Sequence, residues 1–230
     1  MDEDAQALVD LVRTARRPSM RLEAARQLAE KRDPELTPIL LELLDPTNDA
    51  RIVPVVTVAL SGLQAIGEPI TPYVMELFDG PDDTRRVFMP LLLGAALGKR
   101  AVPRLIEALQ DENQDVAINA ATQLGQLGAV EAFEPLLTLL QDQNLPAALR
   151  GVAAAALGAL RDPRALPILA ELSTTHDPEL LAGAIDGLSD LRDPAGAEYL
   201  EAILDRPSLD ENTNRAVRLG LLAMERYRLR

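Results

Sequence analysis

The stretch ALGALRDPRALPILAEL, residues 156–172, joins two apolar, small-residue segments through Arg161-Asp162-Pro163. Proline suits the first turn of a helix and cannot continue one, and an Asp beside it can accept backbone N–H bonds at a helix start. The stretch therefore reads as one helix closing and the next opening. Further Asp-Pro joints stand at Asp33-Pro34 and Asp193-Pro194. With Leu157 as anchor, equivalent leucines fall at Leu28, Leu63, Leu93, Leu124, Leu188 and Leu219, spaced by 35, 30, 31, 33, 31 and 31 residues. The residue after each anchor is Ala29, Gln64, Gly94, Gly125, Gly158, Ser189 or Gly220, and all but one are small, as a closely packed neighbouring helix requires. A fixed period of this length is the signature of a repeat array.

Within a unit the periodicity is helical twice over. Val102, Leu105, Ile106 and Leu109 stand at i, i+3, i+4 and i+7, and Phe133, Leu136, Leu137 and Leu140 repeat the spacing one unit later, marking first helices. Val116, Ala120, Ala121, Leu124 and Leu127 mark the face of a second helix, matched around Leu157 by Leu149, Ala153, Ala154 and Leu160. Each unit is a helical hairpin. The chain is predicted to be all-α, an α-solenoid of about seven hairpins of about 31 residues forming one domain. The units run approximately over 1–33, 34–67, 68–100, 101–129, 130–162, 163–193 and 194–230. Asp45, Asp79, Asp111, Asp142 and Asp205, in the turns after first helices, are expected to cap the helices that follow. Pro54 is expected to open its helix, and Pro90 to kink or shorten one.

Composition narrows the function classes. The 230 residues are 47% hydrophobic but only 3% aromatic, without Trp, which favours helices packed through small side chains over a sheet sandwich. The absence of Cys removes disulfides, thiolate metal sites and cysteine nucleophiles together. The net charge of −13 argues against general affinity for nucleic acid, which depends on phosphate neutralisation by Lys and Arg. The opening MDEDAQALVD carries acids where a secretory signal would carry a basic and then an apolar run, and no apolar stretch reaches the length of a membrane span. The expectation is a soluble, cytoplasmic, bacterial protein bound neither to membrane nor to nucleic acid.

The joint RDPRALPIL and the second-helix pattern Leu149, Arg150, Ala153, Ala154, Leu157, Gly158 resemble HEAT repeats, in particular the short, regular variety named after phycobilisome lyases. The resemblance covers nearly the whole chain. It implies a right-handed superhelix whose inner surface is lined by second helices. It does not fix function, because scaffolds, adaptors and lyase subunits share this architecture. The Arg that the family places at the start of the second helix matches Arg21, Arg86 and Arg150, whereas Val56, Ala117, Leu181 and Asn212 stand there in other units, so the family's continuous Asp–Arg ladder is not expected.

The face left over by stacking must carry the function. Counting from each anchor, positions −5, −2, −1 and +2 are expected to face the groove. In the first and fourth units they are polar, as in Glu23, Arg26, Gln27 and Glu30. In units two, three and five they read Val58, Ser61, Gly62, Ala65, then Phe88, Leu91, Leu92, Ala95, then Val152, Ala155, Ala156, Ala159. Such a strip is buried by curvature, covered by a partner, or open as a small-ligand pocket. The candidate partner-binding residues are Val58, Phe88, Leu91, Leu92, Val152 and Ala155, with Arg26, Asp186 and Arg218 as groove-edge charges that select the partner.

Catalytic readings meet a poor inventory. His176 is the single histidine, in the polar turn THDPE, and is read as a solvated turn residue; one His cannot supply an iron site of the kind found in HEAT-like deoxyhypusine hydroxylase. A glycosylase face would need basic and aromatic residues that the chain lacks. Asp82-Asp83, Asp186 with Asp190, and Asp210-Glu211 read as solvated acids. Arg215, Arg218, Arg226, Arg228 and Arg230 crowd the last helix, favoured by its dipole or placed for an acidic partner or head-to-tail self-association. No catalytic residue, metal or cofactor is expected. The sequence reading is a non-catalytic protein-binding scaffold or adaptor whose partner presents a helix or an extended segment. The alternative is a phycobilisome-lyase-like subunit or chaperone handling a linear tetrapyrrole or its acceptor protein. Homodimerisation through the apolar strip is a third reading.

Overall fold

A computed structural model describes residues 3–44, 53–80, 83–207 and 209–228. Asp2, Asp45, Asp82 and Arg230 lie outside them. Among the described residues the structure is helical throughout, with no β-strand. It divides into two compact units, residues 1–101 and 102–230. The first holds α1 (Glu3–Thr14), α2 (Pro18–Glu30), α3 (Thr37–Glu42), α4 (Val53–Ile66), α5 (Thr71–Asp79), α6 (Asp83–Arg86) and α7 (Met89–Leu97). The second holds α8 (Val102–Ala108), α9 (Gln114–Gln126), α10 (Phe133–Gln141), α11 (Ala147–Ala159), α12 (Ala165–Leu172), α13 (Pro178–Leu191), α14 (Pro194–Leu204) and α15 (Glu211–Arg228). Successive helices pair as hairpins, with α6 and α7 together taking the place of one second helix. The split follows from Pro90 at the start of α7: its ring excludes the helical bond an unbroken helix would need, and the chain turns at Val87-Phe88 before α7 begins. Pro54 sits in the first turn of α4, as its fixed φ favours.

The anchor leucines form the spine. Leu28, Leu63, Leu93, Leu124, Leu157 and Leu188 are each 0% exposed. Leu219 is not an anchor: it is 56% exposed, and α15 instead buries Val217, Gly220 and Met224. The contacts between neighbouring second helices explain the shift. The residue after one anchor packs against the residue before the next, as Ala29 does against Gly62, Gly125 against Ala156, Gly158 against Gly187 and Ser189 against Gly220. By register Gly220 precedes Leu221, which takes the anchor's place but is only half-buried.

This ladder also removes position −1 from the expected groove. Gly62, Leu92, Ala156, Gly187 and Gly220 are all buried, because that position faces the neighbouring repeat. Between α11 and α13 the approach is backbone on backbone. A Cβ on Gly183 would strike the Gly151 carbonyl, one on Gly158 the Gly187 carbonyl, and one on Gly151 the Glu179 carbonyl.

Each repeat closes in a regular way. Arg32, Gly67, Gly98, Gly128, Arg161 and Arg192 all have positive φ, between 50° and 77°, and Arg192 takes the left-handed conformation that ends a helix. Asp33 and Asp193 then cap the next element through Glu35 N and Ala195 N, and the Asp162 carboxylate accepts from Arg164 N. Arg164 completes the joint that opened the sequence reading. Its guanidinium pairs with both Asp162 oxygens at 3.0 and 2.8 Å, reaches Glu134 at 3.0 Å, and lies 3.9 Å above the Phe133 ring of the preceding first helix. These bonds hold the Asp162 carboxyl below the ordinary carboxylate range.

The expected capping by Asp111 and Asp142 is corrected. Each braces its own turn, through Asn113 N and Asn144 N, and Asn113 rather than Asp111 caps α9. The start-of-helix arginines act on carbonyls. Arg21 Nε donates to Ala15 O at 2.8 Å and Arg150 Nε to Leu140 O at 2.9 Å, so each fastens a second helix to the end of its own first helix.

Candidate functional site

The second-helix face is built differently in the two compact units. In the first, Val58 on α4 and Phe88 and Leu91 around the start of α7 are half-buried, while Ser61, Ala65 and Ala95 are exposed. Phe88 is held by the α6–α7 break: its N–H donates to Arg85 O and its carbonyl accepts from Leu92 N, so the Pro90 interruption fixes the ring at a helix N-terminus. Leu92, grouped with these residues in the sequence reading, is 0% exposed and belongs to the core, because position −1 is the stacking position. Arg26 is exposed on α2.

In the second unit, Val152, Ala155 and Ala159 on α11 are half-buried and form a shallow strip of small apolar side chains. Asp186 and Asp190 stand one turn apart on the exposed face of α13. Protein surrounding Asp186, and then the charge of Asp190, push its carboxyl above the ordinary carboxylate range. Arg218 is exposed on α15 and steadied by Asn214, whose Oδ1 accepts from its Nε at 2.7 Å. The proposed residues therefore fall into two groups: Arg26, Val58, Phe88 and Leu91 in the first unit, and Val152, Ala155, Asp186 and Arg218 in the second.

This chemistry suits adhesion. The accessible groups are aliphatic, aromatic or singly charged. His176 is exposed in the turn before Asp177, which caps α13 by accepting from Glu179 N and Leu180 N. Among the described residues no group of three or more His, Asp or Glu side chains is placed to hold a metal ion, and no helix is long and apolar enough to cross a membrane. One anchoring residue escaped the sequence reading: Arg206, after α14, donates to the carbonyls of Thr175 and Ser173 and ties the turns of two adjacent repeats. Its only sequence signal is an Arg in a polar loop.

A family model described as HEAT repeats matches residues 76–147 and 143–219. The chain is 34% identical over 116 residues to phycocyanobilin lyase subunit beta of Nostoc sp. (strain PCC 7120 / SAG 25.82 / UTEX 2576), a match covering 50% of this chain and 56% of that protein. It is 29% identical over 146 residues to the uncharacterized phycocyanin operon protein Z of Pseudanabaena tenuis (strain PCC 7409), covering 60% of this chain and 71% of that one. The chain thus spans little more than half the length of the first relative. Among solved structures, the complex of CpcE and CpcF of phycocyanin lyase from Nostoc sp. PCC7120 superposes with a TM-score of 0.53 at 18% identity, over 96% of this chain and 94% of that one. At that identity the likeness is one of fold.

Proposed function

The chain belongs to the HEAT-repeat family, and from that premise we propose that it is a protein-binding subunit or chaperone of the phycobilisome-lyase kind. In this reading its second-helix face holds an acceptor protein for a linear tetrapyrrole, or the pigment itself. The observation that carries it is the similarity to phycocyanobilin lyase subunit beta in a chain whose second-helix face keeps half-buried apolar side chains, Val58, Phe88 and Leu91 in one unit and Val152 and Ala155 in the other. Phe88, Leu91 and Val58 provide apolar contact in one compact unit, and Val152 and Ala155 in the other. Arg26, Asp186 and Arg218 choose among partners by charge. The more general reading, an adaptor for a protein unrelated to pigments, is favoured by the absence of Cys and the single His, which leave the chain few groups for chemistry of its own.

The test separates the two. Purified protein is mixed with phycocyanobilin alone, with phycocyanin apoprotein alone, and with both, and followed by visible absorption and size-exclusion chromatography. A shifted spectrum or a comigrating apoprotein, lost in Phe88→Asp while far-UV circular dichroism is unchanged, supports the lyase-type reading. No spectral shift and no comigration leave only the general adaptor. If Phe88→Asp unfolds the protein, Val152→Asp, in the other compact unit, provides the same readout.

A further inference from the structure

Residues 102–230 carry two surfaces that the second-helix reading leaves unused, and they are complementary. The first is a groove of about 730 Å3 along the turns of the fourth and fifth hairpins. Its floor is apolar, with Ile106, Leu139 and Leu145 prominent, and its rim carries the carboxylates of Asp111, Glu112 and Asp142 together with Glu134, which is already paired with Arg164. No Lys or Arg lines it. The second is the outer side of α15. At about 3.6 residues per turn, Arg215, Leu219, Leu222 and Arg226 fall on one stripe, opposite the buried Val217, Gly220 and Met224. Leu219 and Leu222 are 56% and 55% exposed, the two most exposed large apolar side chains among the described residues, and both arginines are exposed.

An apolar floor inside an acidic rim selects an apolar segment flanked by cations and repels one flanked by acids. The outer stripe of α15 has that composition, in the helix-in-groove form that an amphipathic segment uses. We propose that the groove receives α15 of a second copy of this chain, with Leu219 and Leu222 entering the floor and Arg215 and Arg226 meeting the rim carboxylates. The contact is heterologous, since the two surfaces differ, so it adds copies head to tail instead of closing as a simple dimer. The repulsion between copies of charge −13 acts over distances that physiological salt screens to about 8 Å, whereas docked pairs interact at shorter range. The proposal does not rest on the second-helix reading.

Sedimentation velocity of the full chain, from low to high micromolar concentration, tests it. The expected result is a weight-average mass that rises with concentration beyond a dimer and is lost in the Leu219→Asp/Leu222→Asp variant. Glu112→Arg and Arg226→Glu should each weaken association by about tenfold, and combining both in one chain should restore it, because the reversed charges then face each other. All four side chains are exposed, so circular dichroism should not change. Wild-type protein that stays monomeric at every concentration overturns the proposal. So does association indifferent to these variants, or a double charge variant weaker than either single one.

Discussion

At the scale of single residues, the arginines do work that composition alone would assign to solvent. Arg150 is half-buried and its Nε bonds the Leu140 carbonyl, where the helix dipole also favours a cation. Arg150→Ala should cost about 1.5 kcal/mol, as loss of a charge-assisted bond does, read as a lower urea midpoint at an unchanged slope. Asp186 behaves in the opposite sense. Its folded-state pKa lies above that of the unfolded chain, so its ionisation opposes folding. That cost is absent below the unfolded value, grows as pH rises between the two values, and is complete above the folded one. Asp186→Asn should therefore raise Tm at neutral pH, with the gain fading as pH falls below the ordinary carboxylate range. A gain that persists unchanged in acid would mean that titration is not its cause.

At the scale of elements, two kinds of glycine separate. Gly128 adopts φ 58° with nothing within 4 Å of an added Cβ, so it answers a backbone requirement that Arg32, Arg161 and Arg192 meet at some strain. Gly128→Ala should cost about 1 kcal/mol. Gly183 answers a packing requirement, because a Cβ there would strike the Gly151 carbonyl across the α11–α13 contact. Gly183→Ala adds about 1 kcal/mol of helix propensity against about 3 kcal/mol of overpacking. Thermal or urea denaturation should show a net loss of about 2 kcal/mol. Gly62→Ala tests the same ladder in the other compact unit, where Ala29 Cβ lies 2.6 Å from the added carbon.

At the scale of the molecule, stability is a sum over neighbours and so should vary along the chain. Hydrogen exchange should be slowest in α11 and α13, whose backbones touch, and fastest in α1 and α15, each packed within its unit against helices on one side only. Uniform protection would contradict this nearest-neighbour account. The net charge of −13 adds a self-repulsion that salt screens, so Tm should rise with moderate NaCl.

The hairpins were legible in the sequence because burial on one helical face writes itself as a spacing, and a joint such as Arg161-Asp162-Pro163 marks where one helix must stop. Those are local requirements. The placement of Phe88 was partly legible too, since Pro90 announced a break but not where the ring would come to rest. The rest depended on which side chains meet across repeats. Leu219, Leu221 and Leu222 are all leucines on one turn or so of helix, and only the contact of Gly220 with Ser189 sets the register that half-buries Leu221 and leaves the other two exposed. Likewise the sequence left Leu92 open between core and surface, because nothing local distinguishes a helix side facing solvent from one facing the next repeat. Sequence by itself determined a stack of helical hairpins; tertiary structure decided which face stayed open, because that depends on contacts between residues about thirty positions apart, which no local period records.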